Sequence, residues 1–388
     1  MKVLSVFGTR PEAIKMAPLM QALSLEPTIQ NRICVTGQHR QMLDPVMALF
    51  KLRADHDLNV MVPGQGLNGL YTRVMNGVDR VIEEDRPDIV LVHGDTSTAN
   101  ASAVAAFHQR VKVGHVEAGL RTYDLKQPFP EEMNRRVIDT IGHWLFAPTQ
   151  TSKQNLMQEN LGGRILVTGN TVIDALDLTC RTLEIDPVLK AALSNRYPWV
   201  DDTRRLVLVT GHRRENFGDG FEQICEALEL LSRRTDIQIV YPVHMNPEVR
   251  SVVERTLSHL ENIHLIAPLA YPDFVWFMCR AHIILTDSGG VQEEAPSLGK
   301  PVLVMRNVTE RPEAVEAGTV TLVGTDPIRI VKEVAALLDH AEHYAAASGK
   351  LNPYGDGRAA ERIVAALCER DFSEFNPVPA FSRLAAAA

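Results

Sequence analysis

Short apolar runs alternate with longer amphipathic stretches along almost the whole chain. Several runs are nearly continuous Val, Ile and Leu, a composition typical of parallel strands buried on both faces. Between them, stretches such as Phe221–Arg233 and Ile328–Leu338 have apolar residues at helical spacing. The pattern predicts strands at Val3–Phe7, Arg32–Thr36, Ile89–His93, Val111–Val116 and Ile165–Thr168, and a second series at Leu206–Thr210, Ile237–Tyr241, Ile263–Ile266, Ile283–Thr286, Val302–Met305 and Thr319–Val323.

This alternation predicts an α/β protein with doubly wound parallel sheets and right-handed crossovers. A chain of 388 residues is long for one core, so more than one domain is expected. The alternation breaks once, after Gly169, where a helical pattern and then a polar, proline-containing passage precede the strand at Leu206–Thr210. We therefore predict a Rossmann-like domain at residues 1–169, a second at 170–355, and a final helix within 356–370.

Composition narrows the possible classes of function. With 40 basic and 48 acidic residues, the net charge of -8 argues against a non-specific nucleic-acid binder, which normally needs a basic face. The five cysteines form no CxxC pair, so neither a disulfide framework nor a zinc knuckle is indicated. No run approaches the ~20 apolar residues of a membrane span. These features predict a cytoplasmic protein without membrane or nucleic-acid partners.

Polar residues directly follow several predicted strands, where ligands bind in open α/β sheets. After the first strand, Gly8 permits a tight turn and Pro11 suits the first position of a helix. The free N–H groups of a helix start favour an anion, and Arg10 and Lys15 add positive charge there. The alternative is a capped helix with two solvated cations.

Three carboxylates are candidates for acid–base chemistry. Asp95 and Glu117 lie where two predicted strands end, so both side chains are expected at one edge of the sheet. Glu131 opens a predicted helix after a proline-rich loop. The alternative for Asp95 is a helix N-cap, and for Glu131 an acidic residue in the first turn of a helix.

Two weaker patterns in the sequence suggest other kinds of site. His93, Asp95, His115 and Glu117 suggest a metal site, but their alternation is a poor match to known ligand spacings. Residues 64–69 match the GxGxxG pattern of dinucleotide sites, but the strand pattern before them is weak and Pro63 interrupts it. We therefore predict no metal, and a loop at residues 64–69.

The predicted second domain contains a concentration of groups suited to a phosphorylated ligand. His212 and Arg213 directly follow the strand at Leu206–Thr210, where an anion would offset the cost of their burial. A later strand ends in Asp-Ser-Gly-Gly, whose Ser288, Gly289 and Gly290 could hold a diphosphate on backbone N–H groups at a helix start. The sequence also offers Glu294 as a partner for both hydroxyls of a ribose, and Arg311 as a further cation.

Taken together, these motifs resemble those of the bacterial non-hydrolysing UDP-N-acetylglucosamine 2-epimerases. The resemblance runs from Met1 to about Glu369, in order and at matching spacing. Its motifs are 7-FGTRPEAIK-15, 93-HGDT-96, 114-GHVEAGLR-121, 169-GNT-171, 211-GHRRE-215 and 287-DSGGVQEEAP-296.

The resemblance implies a GT-B fold: two Rossmann-like domains with a deep cleft between them, and a C-terminal helix that crosses back to the first domain. It also implies a homodimer that interconverts UDP-N-acetylglucosamine and UDP-N-acetylmannosamine for cell-envelope polysaccharides, without metal or redox cofactor. The implied catalytic residues are Asp95, Glu117, Glu131 and His212. Substrate-binding roles are implied for Arg10, Lys15, Asp95, Glu117, His212, Phe274, Ser288, Gly289, Gly290, Glu294 and Arg311.

Bacterial members of this family also bind a second UDP-N-acetylglucosamine as an allosteric activator. The resemblance departs from some relatives at Gly64, where they have an arginine near the activator, and at Leu269, where they have a polar residue near the uracil. The activator contacts would fall on Gln38, Gln41, Glu131, Arg213 and His244.

The chemistry explains why such residues are needed. The C2 proton is not next to a carbonyl, so it becomes acidic only as the C1–O bond to UDP breaks. Fixed cations and N–H dipoles must stabilise the leaving UDP, and separate acid–base groups are needed on the two faces of C2. A GT-B glycosyltransferase, a hydrolysing epimerase and a non-catalytic sensor of UDP-sugars remain as alternatives.

Overall fold

The fold is that of a computed structural model in which residues 1–38 and 40–377 are described, apart from the side chain of Gln41. These residues form two compact units. The first unit contains Met1–Asp177 and Tyr354–Asn376, and the second contains Leu178–Pro353.

The first unit is built on a sheet of seven strands within the described residues. They are β1 (Lys2–Phe7), β2 (Gln30–Val35), β3 (His56–Asp57), β4 (Ile89–His93), β5 (Lys112–Val116), β6 (Trp144–Ala147) and β7 (Arg164–Val167). The helices are α1 (Arg10–Leu25), α2 (Arg40–Leu49), α3 (Leu67–Asp85), α4 (Ser97–His108), α5 (Glu131–Ile141), α6 (Gln150–Gln158) and α7 (Thr171–Ile185), which continues past Asp177, together with a C-terminal helix, Ala359–Leu367.

All strand pairs of this sheet are parallel, in the order β3-β2-β1-β4-β5-β6-β7. Strand β4 is buried at every position, as expected for the centre of a sheet covered on both faces. The direction of winding reverses between β1 and β4, and such switch points are where open α/β sheets bind ligands. The loops after β1 and β4 are therefore the first place to look for a site.

The second unit repeats this architecture with a parallel sheet of six strands among the described residues. The strands are β8 (Arg205–Thr210), β9 (Ile237–Pro242), β10 (Ile263–Ile266), β11 (Ala281–Thr286), β12 (Val302–Val304) and β13 (Val320–Leu322), in the order β10-β9-β8-β11-β12-β13. The helices are α8 (Pro187–Arg196), α9 (Asp219–Leu231), α10 (Pro247–Leu257), α11 (Tyr271–Arg280), α12 (Gly289–Glu294), α13 (Pro312–Glu316), α14 (Pro327–Asp339) and α15 (Ala341–Ser348). The C-terminal helix of the first unit, Ala359–Leu367, is numbered α16. The switch point here lies between β8 and β11.

The two doubly wound parallel sheets confirm the predicted α/β class, and each predicted strand forms with ends shifted by at most two residues. Strands β3 and β6 were not predicted. The prediction of a loop at residues 64–69 is wrong for Leu67–Gly69, which form the first turn of α3 after Gly66 at the N-cap. Strand β3 ends at Asp57, so the GxGxxG pattern does not directly follow a strand, which the dinucleotide motif requires.

The C-terminal helix α16 packs against α1 within the first unit. Its start is held by Asp174 of α7, whose carboxylate accepts hydrogen bonds from the N–H groups of Ala359 at 3.2 Å and Ala360 at 2.8 Å. These are N–H groups that the helix itself leaves without partners, so the contact caps α16 and joins it to α7. Among the helices of the described residues, none is both long and apolar enough to cross a membrane.

Candidate active site

In the first unit, a buried carboxylate joins the two loops at the switch point. One oxygen of Glu12 accepts hydrogen bonds from the N–H groups of Gly8 at 3.0 Å and Thr9 at 2.8 Å. Its other oxygen accepts from the hydroxyl of Thr96, which follows β4, at 2.6 Å. Burial raises the pKa of Glu12, against the lowering effect of these hydrogen bonds. Arg10, which is partly exposed, begins α1 in the loop that Glu12 fixes.

Glu117, directly after β5, has a backbone conformation that side-chain-bearing residues rarely adopt, with φ at +69°. Its Oε2 atom lies 2.5 Å from Nζ of Lys15 and 2.8 Å from Nδ2 of Asn170, and 3.8 Å from Nε2 of His93. A residue held in a strained conformation and met by several polar groups is typical of a functional site. Lys15, predicted to bind substrate, thus contacts a predicted catalytic carboxylate.

His93 is an uncharged neighbour of this carboxylate. Its side chain is buried at the end of β4, and burial lowers its pKa to about 3, although the charge of Glu117 opposes the shift. At neutral pH the imidazole is therefore neutral. The sequence placed His93 in a possible metal site, but the described residues contain no group of three or more His, Cys, Asp or Glu side chains that could hold a metal ion.

His115 of β5 is a buried histidine that links the loop after β4 to Asp139. Its Nε2 donates to the carbonyl of Gly94 at 2.7 Å, and its Nδ1 lies 2.6 Å from the carboxylate of Asp139. Asp139 also pairs with Arg121 at 2.8 Å, and the side chains of all three residues are fully buried. The ring therefore fixes the glycine that precedes Asp95.

The Asp95 carboxylate is not a helix cap. The N-cap of α4 is Thr96, whose hydroxyl oxygen accepts from the N–H of Ala99 at 3.0 Å, so the capping interpretation of Asp95 is wrong. Asp95 is instead hydrogen-bonded through its carboxylate to Arg135 of α5. Glu131 is in the first turn of α5, as its alternative interpretation predicted, and is four residues before Arg135. Residues at this spacing share a helix face, so Glu131 lies on the face that meets Asp95.

Of the predicted activator contacts in this unit, Gln38 follows β2 and its side-chain oxygen accepts a hydrogen bond from Thr98 at 3.1 Å. The side chain of Gln41 lies outside the described residues, although its backbone is in α2.

In the second unit, the switch point is organised by Asp287 at the end of β11. This fully buried carboxylate accepts from the backbone N–H of His212 at 2.9 Å and of Arg213 at 2.8 Å, and from Nδ2 of Asn216 at 3.3 Å. It also lies 3.3 Å from Nδ1 of His212. Desolvation lowers the pKa of His212 and the charge of Asp287 opposes the shift. The ring of His212 stacks on that of His244, with centroids 5.8 Å apart.

Two guanidinium groups flank the start of α12. Ser288 is its N-cap, and a Cβ placed on Gly289 would lie 3.5 Å from Nη2 of Arg213 and 3.7 Å from Nη2 of Arg311. Gly290, the next residue, is exposed. Cations around a glycine at a helix start are suited to a diphosphate, because side chain and backbone donors can meet the same anion.

Glu294 lies at the end of α12 and is buried, with 6% of its surface exposed. The hydroxyl of Tyr271, in the first turn of α11, donates to its Oε1 at 2.7 Å. Phe274 lies on the same helix, α11. A thiol pair, Cys180 and Cys279, adjoins them, with sulfur atoms 3.4 Å apart.

A family model described as UDP-N-acetylglucosamine 2-epimerase matches residues 21–368. The chain belongs to the UDP-N-acetylglucosamine 2-epimerase family. It is similar to the UDP-N-acetylglucosamine 2-epimerase of Escherichia coli K12, with 57% identity over 369 residues, 95% of this chain and 98% of that one. The family resemblance seen in the sequence is thereby confirmed, and it makes the protein an isomerase.

Solved structures of UDP-N-acetylglucosamine 2-epimerases have the same fold. That of Neisseria meningitidis, bound to UDP-N-acetylglucosamine, is 49% identical with a TM-score of 0.87 and covers 95% of this chain and 100% of its own. A structure from Listeria monocytogenes, described as a putative member, is 46% identical with a TM-score of 0.88, covering 97% and 99%. The likeness confirms the expected GT-B fold class.

Several residues that organise the candidate site had no role in the sequence-based prediction. They are Glu12, Arg135, Asn170, Tyr271 and Asp287, each of which holds a predicted site residue or its loop. Three of them had a signal, because Glu12, Asn170 and Asp287 lie within the matched motifs, and Asp287 directly follows β11. Arg135 and Tyr271 lie on helices, where nothing in the sequence marks which side chain points at a carboxylate.

Proposed function

We propose that the protein reversibly epimerises UDP-N-acetylglucosamine and UDP-N-acetylmannosamine at C2, by elimination of UDP and its re-addition. The observation that carries the proposal is the Glu117 carboxylate, held in a strained backbone conformation against Lys15 and Asn170 in a chain of the epimerase family. Its relative from Neisseria meningitidis is described as bound to UDP-N-acetylglucosamine.

The first half-reaction separates the sugar from UDP. The C1–O bond breaks with its electron pair going to the diphosphate, a carboxylate takes the C2 proton, and a C1=C2 double bond forms in 2-acetamidoglucal. We assign the diphosphate to Ser288, Gly289 and Gly290, with Arg213 and Arg311 supplying fixed charge where negative charge develops. His212, whose backbone and ring both adjoin Asp287, is assigned to the same leaving group.

The remaining substrate contacts follow from chemistry of the same kind. Glu294, with one oxygen already held by Tyr271, is assigned to the ribose hydroxyls, and Phe274 to the nucleotide. Arg10 and Lys15 are assigned to binding of the substrate. Lys15 also forms an ion pair with the Glu117 carboxylate.

In the second half-reaction a proton is delivered to the opposite face of C2 and UDP adds back to C1. Two faces require separately placed acid–base groups, and Asp95, Glu117 and Glu131 are assigned to that work. The route is redox-neutral and its atoms balance without a metal or an electron carrier. Replacing each carboxylate by its amide is expected to lower turnover by about 10²–10⁴-fold while UDP binding persists. Near-normal turnover in all three variants would contradict the assignment.

We further propose that a second UDP-N-acetylglucosamine acts as an activator through Gln38, Gln41, Glu131, Arg213 and His244. The stacking of His244 on His212 supports this, because it offers a physical link from an activator contact to a leaving-group contact. The proposal includes a cytoplasmic homodimer whose product supplies cell-envelope polysaccharides.

Incubation of the purified protein with UDP-N-acetylglucosamine alone tests the reaction. We expect a mixture of the two C2 epimers, with the same final ratio when UDP-N-acetylmannosamine is the starting material. No reaction until an acceptor is added would indicate a glycosyltransferase. Release of UDP and free N-acetylmannosamine would indicate a hydrolysing epimerase.

A further inference from the structure

Asn170 is a buried asparagine directly after the turn that ends β7. Its side chain and backbone are 3% exposed, and its N–H donates to the carbonyl of Tyr354 at 2.7 Å. The preceding Gly169 has φ at +87°, a conformation that favours glycine. The hydrogen bond to Tyr354 and the turn at Gly169 together fix the backbone of Asn170, and with it the position of its Cα atom.

The orientation of the Asn170 amide follows from its hydrogen bonds. Its Oδ1 accepts from the N–H of Val172 at 3.0 Å, which an NH₂ group could not do. The NH₂ group must then face the other way, where Nδ2 lies 2.8 Å from Oε2 of Glu117. The amide thus has one arrangement that satisfies both neighbours, and in it Asn170 donates to the carboxylate.

Glu117 meets one cationic and two neutral groups on this side. Lys15 from α1 is cationic, His93 from β4 is neutral, and Asn170 is a neutral donor. A carboxylate that both accepts and donates a proton needs a fixed orientation, but further cations beside it would stabilise its ionised form and oppose protonation. A rigid neutral donor meets that need, because it orients the oxygen and adds no net charge.

We propose that Asn170 is a positioning residue for the reaction, which holds the Glu117 carboxylate in the direction required for proton transfer at C2. The proposal rests on the proposed function, since it assumes that Glu117 exchanges a proton with the substrate. Asn170 itself touches no reacting atom and acts only through Glu117.

Two substitutions separate this role from a structural one. Asn170→Asp keeps an oxygen for the N–H of Val172 but places a second carboxylate 2.8 Å from that of Glu117. Asn170→Ser also keeps a side-chain oxygen typical of this helix-start position, but it is too short to reach Glu117. Glu117→Gln is made in parallel, and thermal unfolding checks that each variant is folded.

For Asn170→Asp we expect the acid limb of the pH profile of kcat to move upward by about one pH unit or more, because two adjacent carboxylates share a proton. For Asn170→Ser we expect kcat to fall about 10- to 100-fold, as for a misplaced catalytic group, with the acid limb unmoved. In both, the Kd for UDP, measured by calorimetry, is expected to stay within about twofold of the parent, because the diphosphate is assigned to residues of the second unit.

The outcomes distinguish the inference from the function on which it rests. If Glu117→Gln abolishes turnover but both Asn170 variants keep the parent kcat and pH profile, the positioning role is wrong and the proposed function stands. If Glu117→Gln retains turnover, the catalytic assignment of Glu117 is wrong, and the positioning role of Asn170 that depends on it is wrong as well. If the Asp variant does not fold, an unchanged kcat in the Ser variant is enough to overturn the inference.

Discussion

Replacing Asp287 by asparagine tests whether one buried charge organises the proposed leaving-group site. The carboxylate accepts backbone hydrogen bonds from His212 at 2.9 Å and Arg213 at 2.8 Å. Asparagine can still offer one oxygen to both, so the main loss is the charge. Hydrogen bonds to charged groups contribute about 1.5–3 kcal/mol and neutral ones about 0.5–1.5 kcal/mol. For two bonds we therefore expect the second unit to lose about 2 kcal/mol of stability.

The melting temperature of the second unit is the appropriate measurement. For a unit of this size, 2 kcal/mol corresponds to a decrease of about 4–8 °C. Of the chain's three tryptophans, Trp199 and Trp276 lie in the second unit and Trp144 in the first. Tryptophan fluorescence in a Trp144→Phe background therefore reports unfolding of the second unit alone.

A matched control is available in the same unit. Asp202 is hydrogen-bonded to Arg280, and its side chain is 75% exposed. Because exposed ion pairs contribute less than about 1 kcal/mol, Asp202→Asn is expected to lower the melting temperature by less than about 4 °C. NMR titration should also show a lower pKa for His212 in Asp287→Asn, because the charge that opposes its desolvation is gone. Equal melting temperatures for the two variants, with the pKa of His212 unmoved, would refute the reasoning.

Three further predictions follow from individual contacts. Tyr271→Phe removes the donor to Glu294 and is expected to weaken UDP binding about 5- to 10-fold by calorimetry, whereas an unchanged Kd would place the ribose elsewhere. His93 has a folded-state pKa of about 3, below its unfolded value, so its protonation favours the unfolded state as the pH falls below about 6.5. Between pH 7.5 and pH 5, urea unfolding should therefore show that His93→Gln loses about 2 kcal/mol less stability than the parent. Equal losses of stability in the two proteins would contradict this prediction. The hydrogen bond with Cys180 lowers the pKa of Cys279, whereas burial raises the pKa of Cys225 to about 12. Cys279 should therefore react with a maleimide faster than Cys225, as followed by mass spectrometry. The reverse order of labelling would contradict the reasoning.

The sequence predicted the repeated β-α pattern well because buried parallel strands are runs of nearly continuous apolar residues. Strand β4, apolar apart from its final histidine, was placed without error. Strand β3 was missed because it is two polar residues, His56 and Asp57, at the edge of its sheet. Strand β6 was missed although Trp144–Ala147 is an apolar run, because four residues beside a helical pattern do not decide between strand and helix.

The candidate site was predicted as a set of residues and much less as a set of contacts. Asp95 follows β4 and Glu117 follows β5, and because neighbouring parallel strands end at the same edge of a sheet, the sequence placed both carboxylates at one edge. The partners of these carboxylates could not be predicted, because Arg135 is 40 positions from Asp95 and Asn170 is 53 from Glu117 in the chain. Neither the left-handed backbone of Glu117 nor the orientation of the Asn170 amide has a signature in a single sequence.

The central claim, that the C2 hydrogen is lost while the sugar is separated from UDP, has a direct test in proton NMR of the purified protein with UDP-N-acetylglucosamine in D₂O. We predict that the UDP-N-acetylmannosamine formed has deuterium at C2, and that the C2 proton signal of the remaining substrate fades as the reaction reverses. Epimerised product that retains its original C2 proton would contradict the account.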